Sequence, residues 1–206
     1  MSQTVRVFAL ARHRIGIDGV GVTTLLTLHG CPLRCVYCLN ERCHDPQCPC
    51  TEVTASQVVE LCMKDNLYFL ATGGGITVGG GEPLMQPRFI HELRAEMPAE
   101  WKLNIETSLN VPQQNLEMII DDVDCIIIDI KDMNPEIYQR YTSKENTQVV
   151  QNLSIIRSRD RQDDTLIRLP LIPSYNTQAD REESKKQLSA LGFTHFDEFD
   201  YISSLL

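Results

Sequence analysis

Cys125-Ile126-Ile127-Ile128-Asp129-Ile130 is almost wholly apolar, which suits a central strand of a parallel sheet, buried on both faces. It is one of a series. Residues 23–28, 76–78, 103–106, 166–169 and 196–201 are short β-branched or apolar runs that also read as strands. Helical patterns lie between them. Thr54 and Gln57 form a capping box, and Ala55, Val58, Val59 and Cys62 then fall on one helical face, which makes Cys62 a core residue. A helix from about Pro87 buries Phe89, Leu93 and Met97, and Leu116, Ile119 and Ile120 form another stripe. Helices are also expected over 135–141 and 147–157, and from about Ala179 to a stop at Gly192. Regular strand–helix alternation implies parallel pairing with right-handed crossovers. Six such units, where eight would close, give an α/β fold: an open, partial (β/α)6 TIM-like barrel.

The 206 residues suit one domain spanning 1–206, with a short cysteine-rich loop at 41–51. Hydrophobic residues at 42% and charged residues at 23% exclude wholesale disorder, and the net charge of -9 argues against a general nucleic-acid binder. No apolar run approaches the roughly 20 residues of a membrane-spanning helix. Arg6, Arg12 and Arg14 stand among the first fourteen residues without an acidic residue, but no secretory apolar region follows, so this stretch is read as the start of the fold. Without an export signal, the eight cysteines are expected to be reduced thiols in a cytoplasmic protein.

In sheets of this construction the chemistry lies at the C-terminal ends of the strands. After the first of them come Cys31, Cys35 and Cys38, a C-x3-C-x2-C triplet. Thiolates are soft ligands, and three on one short loop can converge on one metal centre. The three could instead be buried apolar residues, include a disulfide, or join another residue around zinc. The spacing fits paired zinc knuckles poorly and favours an iron–sulfur site with one open iron. Other strand ends carry Gly79-Gly80-Gly81-Glu82-Pro83, Glu106-Thr107-Ser108, Asp129 with Lys131, and Arg168. Cys43, His44, Cys48 and Cys50 form a second group of soft ligands, but C-x4-C-x-C is not an established ligand spacing, and they are not assigned a metal.

The cysteine triplet, with aromatic Tyr37 before its last member, and the Gly80-Gly81-Glu82 element resemble the radical S-adenosylmethionine (SAM) superfamily. Within it, residues 72–86 and Ile128-Asp129-Ile130-Lys131-Asp132-Met133-Asn134 resemble pyruvate formate-lyase activating enzyme and other glycyl radical enzyme activases. Residues 14–21 and 167–173 are weaker matches. The resemblance implies that Cys31, Cys35 and Cys38 hold three irons of a 4Fe-4S cluster. The fourth iron would chelate the amino and carboxylate groups of S-adenosylmethionine. An electron from the cluster would cleave the sulfonium, and the resulting 5′-deoxyadenosyl radical would abstract hydrogen from a glycine of a partner glycyl radical enzyme. Such an oxidoreductase would work anaerobically, with a flavodoxin- or ferredoxin-type electron donor and with neither nucleic acid nor membrane as partner.

Carried onto this sequence, Gly80, Gly81 and Glu82 would receive the methionine amino group, and Lys131 and Arg168 would face its carboxylate or the ribose. Tyr37 would border the adenine, while Glu106, Thr107 and Asp129 would supply bonds to the ribose or oxygen ligands for a monovalent cation. Alternatives are a radical SAM enzyme acting on another peptide or small molecule, and a non-catalytic iron–sulfur or zinc module. Two departures stand out. Gly19-Val20-Gly21 replaces the family's Gly-Pro-Gly, and the histidine-bearing segment usual beyond the sixth strand has no counterpart, which suggests a wider lateral opening suited to a polypeptide substrate.

Overall fold

The computed structural model describes residues 2–201. Its first strand, β1 (Val5–Ile15), pairs antiparallel with β2 (Val22–Leu28) on one side and with β3 (Thr51–Val53) on the other. From β2 onward every pairing is parallel: β2 with β4 (Gly75–Gly80), then β5 (Lys102–Thr107), β6 (Cys125–Asp129), β7 (Thr165–Leu171) and β8 (Phe196–Asp200). The order is β3-β1-β2-β4-β5-β6-β7-β8, so the eight-stranded sheet does not close on itself. Its six parallel strands are those expected from the apolar runs; β1 and β3 extend the sheet at one edge.

The middle strand shows why the pattern was readable. Ile126, Ile127 and Ile128 of β6 are all at most 1% exposed although successive side chains point to opposite faces. Both faces of the sheet are therefore covered there, and each such side chain contributes about 1.5–3 kcal/mol by leaving water. Strand β1 lacked any such signature. Only Val5 and Val7 of its eleven residues are buried, arginines interrupt it, and register shifts between Val7 and Ala9 and between Ala11 and Arg14 break the period-two pattern. It is a bulged strand held by tertiary partners: Arg12 and His13 both reach the fully buried Asp65.

Among the described residues seven α-helices lie in the connections: α1 (Ala55–Cys62), α2 (Asn66–Thr72), α3 (Pro87–Glu96), α4 (Gln113–Glu117), α5 (Pro135–Thr142), α6 (Thr147–Ser158) and α7 (Gln178–Ala190). The Thr54–Gln57 capping box opens α1, and Cys62 is fully buried. The stripe of Leu116, Ile119 and Ile120 is buried as expected, but α4 stops at Glu117 and the two isoleucines lie in the turns after it. Helix α2 was not foreseen. Phe69 on it stacks edge-on against Trp101, and Asn66 accepts a bond from the indole nitrogen at 2.8 Å. Cys125, read as a core residue, is only half-buried at the start of β6. Among the described residues no helix is long and apolar enough to cross a membrane.

Candidate active site

The exits of β2 and β4 are tied together by backbone. Gly81 N–H donates to Leu28 O at 2.9 Å, and Glu82 N–H donates to Gly30 O at 2.8 Å, so the two chains stay paired past the end of the ladder. Glycine is needed for this approach. A Cβ on Gly81 would lie 2.1 Å from Gly30 O, and Gly80 has φ +87° with Thr27 Cβ 2.6 Å from where its own Cβ would stand. The loop that leaves Gly30 carries Cys31, Cys35 and Cys38. It is docked on α5, where Arg34 N–H donates to Thr142 O at 2.9 Å and Val36 N–H to Tyr141 O at 3.1 Å.

All eight cysteines are free thiols, and Cys31, Cys35 and Cys38 are half-buried. They share a cavity of about 130 Å³ with Tyr37, Gly80, Gly81, Glu82, Glu106, Thr107, Asp129 and Lys131. Strands β2, β4, β5 and β6 each deliver their C-terminal end to this place. A wider groove of about 610 Å³ lies beside Pro32 and Met85, but it holds no thiol, and the smaller cavity is where the chemically capable groups converge.

Glu82 is 2% exposed and its carboxylate is fully engaged. Oε1 accepts from Thr107 Oγ1 at 2.6 Å and Leu84 N at 3.1 Å; Oε2 accepts from Ser108 N at 2.9 Å and Ser108 Oγ at 2.6 Å. Burial raises its pKa, and these four bonds oppose that shift. With its acceptor sites occupied, Glu82 braces the loop against β5, and Gly80 and Gly81 stand beside it on the cavity wall.

Lys131 is 9% exposed, with its ammonium 3.6 Å from Asp129. Burial acts to lower its pKa, but the nearby Asp129, Tyr201 and Cys35 outweigh it, and the group stays charged well above the usual lysine range. Cys35 is pushed up to about 11 by burial, against the pull of Lys131. Cys38 goes the other way, down to about 6, chiefly through a hydrogen bond from Cys43.

Arg168, which the resemblance places at the methionine carboxylate or the ribose, pairs with Glu106 of the cavity lining. Carboxylates from three separate parts of the chain draw its guanidinium: Glu106 at 2.6 Å, Asp197 at 3.7 Å and buried Asp18 at 3.8 Å. Burial raises the Glu106 carboxyl to about 7 despite Arg168, and Asp18 and Asp129 reinforce the shift.

Several lining residues had no assigned role in the sequence reading. Ser108, next to Thr107, was a readable neighbour, since it ends the same strand run. Tyr201 carried no local signal; it reaches the cavity from beyond β8 and joins Tyr37, Tyr141 and Tyr175 in an aromatic group with centroids 5.0–6.4 Å apart. The second cysteine group divides. Cys43 and His44 turn toward Cys38, whereas Cys48 is buried beside Arg6, which donates to its carbonyl at 3.5 Å, and Cys50 is half-buried. Thr51, placed at the end of the cysteine-rich loop, starts β3.

The donor set fits an iron–sulfur cluster: three soft thiols on one loop facing a cavity, with backbone acceptors and a buried ammonium on the other walls. The chain is 31% identical to the (2S)-3-sulfopropanediol dehydratase activating enzyme of Klebsiella oxytoca, over 82% of this chain and 72% of that protein. It is 33% identical to the pyruvate formate-lyase-activating enzyme of Staphylococcus aureus, over 80% of this chain and 67% of that one. In fold it is similar to Streptococcus suis SuiB, with a TM-score of 0.65 at 10% identity over 85% of this chain and 38% of SuiB. Residues 25–187 match the model of the Radical SAM superfamily, and the chain belongs to that superfamily.

Proposed function

We propose that this chain is an activating enzyme that takes a hydrogen atom from a glycine of a partner glycyl radical enzyme. The superfamily uses a 4Fe-4S cluster and S-adenosylmethionine. The observation that carries the reading is one cavity in which the cysteine triad faces the Gly80–Gly81 backbone and the buried Lys131. The curated relatives named as activating enzymes support the choice of substrate.

When bound, the cluster and S-adenosylmethionine together supply reductive sulfonium cleavage and hydrogen-atom abstraction. The protein's part is orientation. Cys31, Cys35 and Cys38 would hold three irons, leaving the fourth for the cofactor. Carbonyls of Gly80 and Gly81 would accept from the methionine ammonium, held in place by the braced Glu82. Lys131 would pair with the methionine carboxylate, its charge kept by Asp129. Glu106, Thr107 and Asp129 would bind the ribose or a monovalent cation, and Tyr37 with its tyrosine neighbours would border the adenine and exclude water. Arg168 would act one step back, orienting Glu106. In this reading the enzyme is a single cytoplasmic domain supplied by a flavodoxin- or ferredoxin-type donor.

Anaerobic reconstitution with iron and sulfide, followed by dithionite and S-adenosylmethionine, tests the chemistry. Wild type should form 5′-deoxyadenosine and Cys35→Ala should not. Mixing with a candidate glycyl radical enzyme should then produce a protein-centred radical in the electron paramagnetic resonance (EPR) spectrum of the partner. No 5′-deoxyadenosine from wild type would overturn the radical reading; its formation without a partner radical from any glycyl radical enzyme would overturn the activase reading.

A further inference from the structure

Leu109 has φ +57°, a left-handed backbone that a leucine rarely adopts, and its side chain is fully buried. It stands in the short run between β5 and α4, directly after Thr107 and Ser108. Such a conformation persists only where the surroundings impose it. Here a single side chain does much of that. Asn152, fully buried on α6, donates from its amide nitrogen to Leu109 O and to Val111 O, each at 2.8 Å. Asn110, between those two residues, is pinned in turn, donating to Tyr138 Oη on α5 at 2.9 Å and to Glu145 O at 2.7 Å. Among the described residues the side-chain oxygen of Asn152 has no hydrogen-bond partner. A buried acceptor left unpaired costs stability, so an asparagine at this place is explained by its two N–H donors and by the loop that uses them.

The turn has a consequence two residues upstream. Because the chain doubles back at Leu109, Leu109 N–H donates to Thr107 Oγ1 at 2.9 Å and Asn110 N–H donates to Ser108 Oγ at 3.3 Å. A hydroxyl that accepts from an amide keeps its own hydrogen for a second partner. Both hydroxyls give it to Glu82, Thr107 to Oε1 and Ser108 to Oε2, each at 2.6 Å. Thr107, Ser108 and Glu82 all line the cavity beside Gly80 and Gly81. A continuous set of buried hydrogen bonds, each polarising the next, therefore runs from Asn152 on α6 to the glutamate of the cavity wall.

We propose that Asn152 is a positioning residue for S-adenosylmethionine. By holding the left-handed turn at Leu109 it keeps the Thr107 and Ser108 hydroxyls on Glu82, and with them the Gly80-Gly81-Glu82 segment that receives the methionine ammonium. The inference rests on the reading of the cavity as the S-adenosylmethionine site.

The test is equilibrium dialysis of S-adenosylmethionine against anaerobically reconstituted wild type, Asn152→Ala, Asn152→Leu and Leu153→Ala, with iron content and Tm measured for each. Asn152→Leu keeps the volume of the side chain and removes its donors, so it separates packing from hydrogen bonding should the alanine variant not fold. Leu153 is the fully buried neighbour on the same helix, and Leu153→Ala opens a cavity that lowers Tm. At wild-type iron content, both Asn152 variants should bind S-adenosylmethionine roughly 10-fold more weakly, whereas Leu153→Ala should bind as wild type does. Combining Asn152→Leu with Ser108→Ala should cost less than the product of the two single losses, because both act on one hydrogen-bond chain. Wild-type affinity in Asn152→Leu would overturn the proposal. So would an equal loss in Leu153→Ala, which would mark general loosening of α6, or a double variant whose loss is the full product. Failure of cluster-loaded wild type to bind S-adenosylmethionine would overturn the cofactor reading of the cavity, and the inference with it.

Discussion

Ser108 donates twice to one oxygen of Glu82, through its amide at 2.9 Å and its hydroxyl at 2.6 Å. This pair fastens the loop after β4 to the end of β5, with Thr107 and Leu84 serving the other oxygen. Removing the acceptor leaves buried donors unpaired. Glu82→Ala should therefore cost about 3 kcal/mol of stability and lower Tm by roughly 6–12 °C in a chain of this size. Glu82→Gln should fall between, since its amide nitrogen cannot accept. Calorimetry of both variants beside wild type checks the order.

Gly81→Ala tests the contact between the two motifs. The added Cβ would meet Gly30 O at 2.1 Å, a backbone atom with no rotamer to yield. The cysteine loop must then shift away from β4, and iron uptake on reconstitution should fall below roughly half of wild type, since a ligand set displaced by about 1 Å loses its geometry. Iron and sulfide content measured with a circular dichroism spectrum separates this from unfolding.

Lys131→Ala should separate cofactor binding from cluster binding. The ammonium pairs with Asp129 on the wall of the cavity and makes no ion pair with a cysteine-loop residue. Losing a charged hydrogen bond should weaken S-adenosylmethionine binding roughly 10- to 100-fold, with iron content unchanged. Equilibrium dialysis on the reconstituted protein reads this directly.

Asp65 gives the pH prediction. Hydrogen bonds led by Arg12, with Thr24 and His13, hold its carboxyl below the ordinary 3.8. A folded pKa below the unfolded one contributes stability that is present above 3.8 and is lost as pH falls through the folded value. Wild type should therefore lose stability progressively below about pH 4–5, and Asp65→Asn should show a shallower slope in that window because its part of the proton uptake is gone. Urea denaturation midpoints between pH 2 and 7 measure both slopes.

What the sequence determined by itself was local. Ile126, Ile127 and Ile128 announced a strand buried on both faces because burial leaves its mark on contiguous residues. The Thr54–Gln57 cap and the spacing of Cys31, Cys35 and Cys38 were equally self-contained, and strand ends pointed to Gly80, Glu106 and Lys131 because parallel sheets gather such ends on one side. Tertiary structure decided the rest, since partners across a sheet are chosen by topology. Strand β1 is a strand because β2 and β3 flank it and Asp65 holds its arginine, not because of its own period. Arg168 is held by Glu106, Asp18 and Asp197, residues up to 150 positions away in sequence, so its place beside the Glu106 wall of the cavity is set by topology. Cys43, without a recognisable spacing, gains its place beside Cys38 only when Gly30 closes the loop onto it.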